Sequence, residues 1–135
     1  PHNLEIEITE YCLVNSVETT VQNINRLKDL GVQIALDDFG TGYTSLSYIA
    51  KLPVNLLKID KTLVDDITSS QKSKDFVNAV ISMGHIMGCD VISEGVENQP
   101  QLDILKTQGC DFVQGFVWSK PLDYDVAKDM IQKVS

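Results

Sequence analysis

The chain has 135 residues, of which 43% are hydrophobic and 22% charged, with a net charge of -8 at pH 7. This is the composition of a single modest globular domain with a real core. The acidic balance argues against a broad surface for DNA, RNA or an anionic membrane, and no apolar run reaches the roughly 18–20 residues of a membrane span. Cys12, Cys89 and Cys110 are odd in number, widely spaced and without a CxxC pair. They predict reduced thiols in a cytoplasmic setting rather than a disulfide framework or a zinc knot. Pro1-His2-Asn3 leads straight into a strand without a signal peptide, and so abrupt a start predicts a piece of something longer, whose remainder could attach to a membrane or a sensor domain.

Strand and helix signals alternate along the whole chain. Leu4 to Ile8 is an alternating strand. Val17, Val21, Ile24, Leu27 and Leu30 recur at helical spacing and stop at Gly31, a natural C-terminal cap. The apolar strand Val32 to Leu36 runs into Asp37-Asp38-Phe39-Gly40-Thr41-Gly42. Leu46 to Leu52 reads as a short helix ended by Pro53. Leu56 to Asp60 is the third strand, followed by a helix that carries Phe76, Val77, Val80, Ile81 and Met87 and ends at Gly88. Val91 to Glu94 is the fourth strand. Pro100 opens a helix with Leu102 and Leu105 on its buried face. Phe112 to Phe116 is the fifth strand, and a last helix from about Asp123 points Val126, Met130 and Val134 inward. No linker or low-complexity tract divides residues 1–135, which read as one domain.

Strands that alternate with helices predict a parallel α/β sheet with right-handed crossovers, either an open doubly wound sheet or part of a (β/α)8 barrel. The polar residues decide between them. Each strand carries an ionisable or amide group toward its C-terminal end: Glu7, Asp37, Lys58, Glu94 and Gln114. Barrel enzymes gather their chemistry at one mouth from many strands, whereas an open sheet concentrates it at one switch point. A complete barrel needs about 250 residues, so the chain reads as the C-terminal part of a TIM-type barrel, about five βα units, with the N-terminal strands absent.

Glu7, Asp37, Asp38 and Glu94 supply carboxylates from three strand ends. Carboxylates at the tip of a buried strand cost desolvation energy unless a cation or hydrogen bonds compensate, and magnesium and manganese prefer such oxygen donors. Asp37 could bridge two ions while Asp38 serves one. Lys58 could neutralise developing negative charge or orient a water, and Gln114 could hold that water or a substrate oxygen. Glu10 and Glu97 each follow a proposed ligand by three residues. Either anchors the Gly40–Gly42 loop or faces solvent. Any one of these residues alone would read as a capped turn or a solvated strand end.

Other motifs fail. Asp38-Phe39-Gly40 is similar to a kinase magnesium loop, but no HRD-like segment precedes it. Gly40-Thr41-Gly42 lacks the third glycine of a dinucleotide fingerprint, because Ser45 stands there. His2 and His85 are too far apart for a histidine metal site, and His85 reads as packing within its helix. Phe116 and Trp118 read as rim packing.

Together these residues resemble the EAL domains of bacterial cyclic di-GMP signalling. Glu5 to Glu10, EIEITE, resembles the family's ELTE strand. DDFGTGYTSL from Asp37 to Leu46 resembles its DDFGTGYSSL loop, with Thr44 in place of the usual serine. KIDK from Lys58 resembles KIDK/R, VISEGVE from Val91 resembles VIAEGVE, and GCDFVQGFVWSKPL from Gly109 resembles its GCDxxQGYxFSKPL ending.

The resemblance implies a metal-dependent phosphodiesterase that linearises cyclic di-GMP to 5'-pGpG with two magnesium or manganese ions. It assigns Glu7 and Asp37 to the first ion, with Asp37 bridging, and Asp38 and Glu94 to the second. It places Lys58 on the attacking water, Gln114 in the water network, and Glu10 behind the Asp38–Leu46 loop. The family's signature Glu-Ala-Leu and its metal-binding Asn have no counterpart in these residues. The expectation is an active complete domain, a 135-residue piece inactive alone, and self-association of that piece through open sheet edges and lumen residues such as Ala35, Ile92 and Phe112. The alternative is a module that binds cyclic di-GMP without cleaving it.

Overall fold

The computed structural model describes residues 3–9, 17–40 and 49–134. In chain order the elements are β1 (Glu5–Thr9), α1 (Val17–Asp29), β2 (Gln33–Phe39), β3 (Leu56–Ile59), α2 (Lys61–Val64), α3 (Gln71–Ile86), β4 (Asp90–Ser93), α4 (Gln99–Thr107), β5 (Phe112–Val113) and α5 (Tyr124–Val134). Of the predicted helix at Leu46–Leu52, residues 46–48 lie outside the described residues, and Ile49 and Leu52 are buried in the core.

All strand pairings are parallel, and the spatial order repeats the chain order, β1-β2-β3-β4-β5. A doubly wound sheet reverses direction at its switch point; this one never does. Every crossover advances the same way, so right-handed connections gather the helices on one face of the sheet and leave the other as an inner wall.

Register then sorts the side chains. Because residues alternate along a strand, Ile34, Leu36, Leu57, Ile59 and Val91 share the helix-covered face, and all of them are completely buried. Helix α1 meets them with Ile24, α3 with Val77, Val80 and Ile81, and α4 with Leu102 and Leu105. Each of these burials is worth roughly 1.5–3 kcal/mol. The inner face carries Glu5, Glu7, Asp37, Leu56, Lys58, Ile92 and Phe112, with Ala35 between its register partners Glu7 and Leu56.

Several boundaries differ from the sequence reading. Strand β2 runs on to Phe39 and β5 is only two residues long. A short helix, α2, follows β3 because Asp60 caps it, accepting hydrogen bonds from the Thr62 amide and hydroxyl. Ala35, expected as an exposed lumen residue, is buried, since a single methyl between two larger register partners leaves nothing for solvent to reach. Leu30 lies beyond the end of α1 and is exposed, and Phe76 is nearly half exposed. Val126 and Met130 of α5, expected inward, face solvent, as do Phe116 and Trp118, expected at a packed rim. Among the described residues, no helix is long and apolar enough to cross a membrane.

Candidate functional site

Lys58 is the centre of the site. Its neighbours Leu57 and Ile59 are committed to the helix-covered core, so the alternation of β3 turns the lysine toward the inner wall. There it is only 6% exposed, and a buried ammonium needs partners. It has three: it donates to a Glu7 carboxylate oxygen on β1, lies 2.9 Å from Glu94 Oε1 beyond β4, and 3.4 Å from Asp37 Oδ1 on β2. Desolvation by itself would lower the lysine pKa. The hydrogen bonds to Glu7 and Glu94 and the charges of Glu94 and Asp37 outweigh it, so the pKa is raised above its ordinary value. Lys58 is therefore a fixed cation at neutral pH.

Each partner is delivered by a local feature. Asp37 and Asp38 sit at a register shift between Leu36 and Phe39 in the β2–β3 pairing. Asp38 has φ of 56°, and its amide donates to Asp37 Oδ1 at 2.9 Å. This bulge resolves the difficulty of two consecutive carboxylates on one strand, which alternation alone would send to opposite faces. Asp37 stays half-buried beside Lys58 while Asp38 is exposed. Glu94 is fixed at its backbone, where its amide donates to the Ile59 carbonyl at 3.0 Å.

Gln114 lies just past β5, exposed, with its amide on the Ser93 carbonyl at 2.9 Å and its own carbonyl accepting from Val96 at 3.1 Å. It borders a cavity of about 760 Å³ along the inner wall, which Leu56, Ile92, Phe112 and Trp118 also line. Glu97 is not with the Lys58 group. Its carboxylate is 3.2 Å from Lys61, and its amide donates to Gln101 Oε1. Gly40 is described and ends the β2 turn, whereas Glu10, Thr41 and Gly42 lie outside the described residues.

His85, expected as packing, is instead exposed and bonded to Asp111 Oδ2 at 2.8 Å, which also accepts from the Val91 amide. That contact ties α3 to the start of β5, and a sequence separation of 26 residues hid it. Cys89 and Cys110 are free thiols, and Cys12 lies outside the described residues.

In donor chemistry, Glu7, Asp37 and Glu94 suit a hard divalent ion, because three carboxylates outnumber the single ammonium they surround. Among the described residues, no three ionisable donors are grouped closely enough to hold one. The carboxylates meet through Lys58, whose ammonium stands where their charges converge.

Comparison with known proteins gives a consistent result. The EAL domain family model matches residues 1–121. The cyclic di-GMP phosphodiesterase NbdA of Pseudomonas aeruginosa is 38% identical over 129 residues, covering 96% of this chain and 16% of that protein. The crystal structure of the EAL domain of Mycobacterium smegmatis DcpA superposes with a TM-score of 0.89 at 39% identity, covering 96% of this chain and 58% of that one. The Klebsiella pneumoniae BlrP1 manganese/cyclic di-GMP complex superposes with a TM-score of 0.81 at 31% identity, covering 90% of this chain and 31% of that one. The five-stranded arc is thus part of a TIM-type barrel.

Proposed function

The chain belongs to the EAL domain family, and from that membership we propose that the complete domain is a phosphodiesterase that hydrolyses cyclic di-GMP to linear 5'-pGpG. The observation that carries this reading is the buried Lys58 ringed by Glu7, Asp37 and Glu94 on the inner wall. Phosphodiester hydrolysis needs positive charge near phosphorus and a base for water, and this cluster brings both together.

In this reading Glu7, Asp37, Asp38 and Glu94 would hold magnesium or manganese, which when bound would supply Lewis acidity and a more acidic water. Lys58 keeps its proton throughout, so it serves as a charge and hydrogen-bond donor and not as a base. Glu94 accepts the proton of the attacking water. The new bond is from water oxygen to phosphorus and the bond that breaks is from phosphorus to the 3' oxygen, which takes a proton from bulk water while Glu94 returns its own to bulk water, leaving a 3' hydroxyl and a 5' phosphate. Gln114 orients the water or a phosphoryl oxygen through its side-chain amide. Glu10, with Gly40, Thr41 and Gly42, positions the loop after β2, and Glu97 supports the Glu94 segment from outside.

The chain spans 58% of the DcpA structure and 16% of NbdA. We therefore place the activity in the complete domain and expect the 135 residues alone, read as the C-terminal part of one barrel, to sit at background. Exposed Phe112, Phe116, Trp118 and Leu122 favour self-association of that piece, which light scattering at several concentrations measures. The decisive assay separates linear from cyclic dinucleotide after incubating the complete domain with manganese or magnesium. We expect 5'-pGpG from the unmodified domain and its loss in Asp37→Ala. Tight calorimetric binding with no linear product would establish the sensor alternative instead.

A further inference from the structure

Two lysines leave the end of β3 three residues apart, Lys58 and Lys61, and two glutamates leave the end of β4 at the same spacing, Glu94 and Glu97. The structure pairs them as rungs. Lys58 Nζ is 2.9 Å from Glu94 on the inner wall, and Lys61 Nζ is 3.2 Å from Glu97 on the outer side. Lys61 is itself steadied by Asp65, one helical turn on. Gly95 lies between the rungs with φ of 64°, and a Cβ there would fall 2.4–2.7 Å from the Cβ, Cγ and Cδ atoms of Lys61. The lysine stem thus passes directly against the backbone that carries Glu94.

We infer that Lys61 is a positioning residue for Glu94: its stem, seated against Gly95, and its pair with Glu97 hold the 94–97 segment so that the Glu94 carboxylate stays on Lys58. This rests on the proposed reaction only in the importance it gives Glu94. The inner rung alone fixes one carboxylate oxygen of a flexible side chain, whereas the outer rung fixes the backbone from which that side chain springs. The Glu94 amide bond to Ile59 and the Val96 amide bond to Gln114 lie between the two rungs. A loosened outer rung therefore frees both Glu94 and the Val96 amide that holds the Gln114 carbonyl. An exposed ion pair adds little to global stability, so the effect of Lys61 is local.

The test compares Lys61→Met, Lys61→Arg, Glu97→Gln and the exchanged pair Lys61→Glu with Glu97→Lys in the complete domain. Methionine keeps much of the stem and deletes the charge. Two readouts are taken: amide hydrogen exchange of residues 93–98 without metal, and kcat and KM for cyclic di-GMP with manganese. Lys61→Met and Glu97→Gln are expected to speed exchange at 94–97, leave α4 unchanged, and lower kcat by roughly tenfold with KM within about twofold, since small misplacements of a reacting group are costly. Lys61→Arg is expected to recover both readouts, whereas the exchanged pair, which sets a carboxylate beside Asp65 and shortens the stem against Gly95, is expected to recover neither. Unchanged exchange at 94–97 in Lys61→Met and Glu97→Gln overturns the inference, as does a loss in Lys61→Met that Lys61→Arg does not recover or full recovery by the exchanged pair. If the unmodified domain makes no linear product while the exchange pattern holds, the reaction is wrong and the positioning role of Lys61 stands.

Discussion

Replacing Lys58 with methionine keeps an unbranched stem one atom shorter and deletes the charge that three carboxylates share. At an effective dielectric constant of 20, a unit charge pair attracts by ~6 kcal/mol at the 2.9 Å of Glu94 and by ~5 kcal/mol at the 3.4 Å of Asp37. Desolvation of the buried ammonium returns most of that gross attraction, and Glu7, about half exposed, contributes little after screening. What remains is the penalty of leaving Asp37 and Glu94 together on the inner wall without a cation. Breaking a fully buried pair costs about 3–5 kcal/mol, and their partial exposure reduces the expected loss to about 2–3 kcal/mol.

Urea denaturation of the complete domain at neutral pH and low salt measures this loss. The pH dependence has a definite sign. The folded-state pKa of Lys58 is raised above its ordinary 10.5, so its contribution is fully present below that value and is lost only as pH rises beyond it. The gap between wild type and Lys58→Met should persist from pH 7 to about 10 and close above that. A difference under about 0.5 kcal/mol at pH 7 would mean that the ammonium is not a structural counterion. Turnover should fall by at least about 100-fold, the typical effect of removing a positioned electrostatic donor.

Ser93→Ala should be neutral or stabilising by up to about 1.5 kcal/mol, because the Ser93 hydroxyl is fully buried and has no hydrogen-bond partner among the described residues. A loss of more than about 1 kcal/mol in a thermal melt would reveal a bond that this structure does not contain. Gly115→Ala should cost roughly 2–4 kcal/mol and most of the activity, since its Cβ would lie 2.1 Å from the Val96 carbonyl oxygen; near-normal melting and turnover together would refute that contact. The Cys110 thiol is pushed up to about 11, chiefly by burial. It should resist maleimide at about pH 8 and gain about tenfold in rate per pH unit toward pH 10, because the thiolate is the nucleophile. Rapid labelling at pH 8 would place it in a different environment.

The sequence was most legible where alternation and chemistry coincide. Leu57, Lys58 and Ile59 read as core, site and core on any strand, and the structure keeps that order. The same logic located Glu7, Asp37 and Glu94 at one end of the sheet. The Asp37–Asp38 bulge was not readable, since a register shift depends on the neighbouring strand. Helix α2 escaped notice because four residues show no periodicity, although Asp60 followed by Thr62 is a capping signal in retrospect. Val126 and Met130 have the right spacing for a buried stripe, but periodicity reports which side of a helix is apolar and not whether anything lies against it. Lys61 was passed over for the same reason as His85: its partner Glu97 lies far along the chain and is brought near only by the sheet.

The two faces of the sheet divide labour so cleanly that they can drift apart. Ile34, Leu36, Leu57, Ile59 and Val91 hold the wall to its helices without touching the chemistry, while Glu7, Asp37 and Glu94 stand on the opposite side and bury comparatively little. An acidic residue on the inner wall can therefore be exchanged while the barrel persists, and its disappearance from a descendant would silence chemistry without erasing the scaffold. Lys58 limits that freedom from both sides. Removing it strands negative charge, and removing every carboxylate strands a buried ammonium, so the lysine and at least one of its partners should be lost together or not at all.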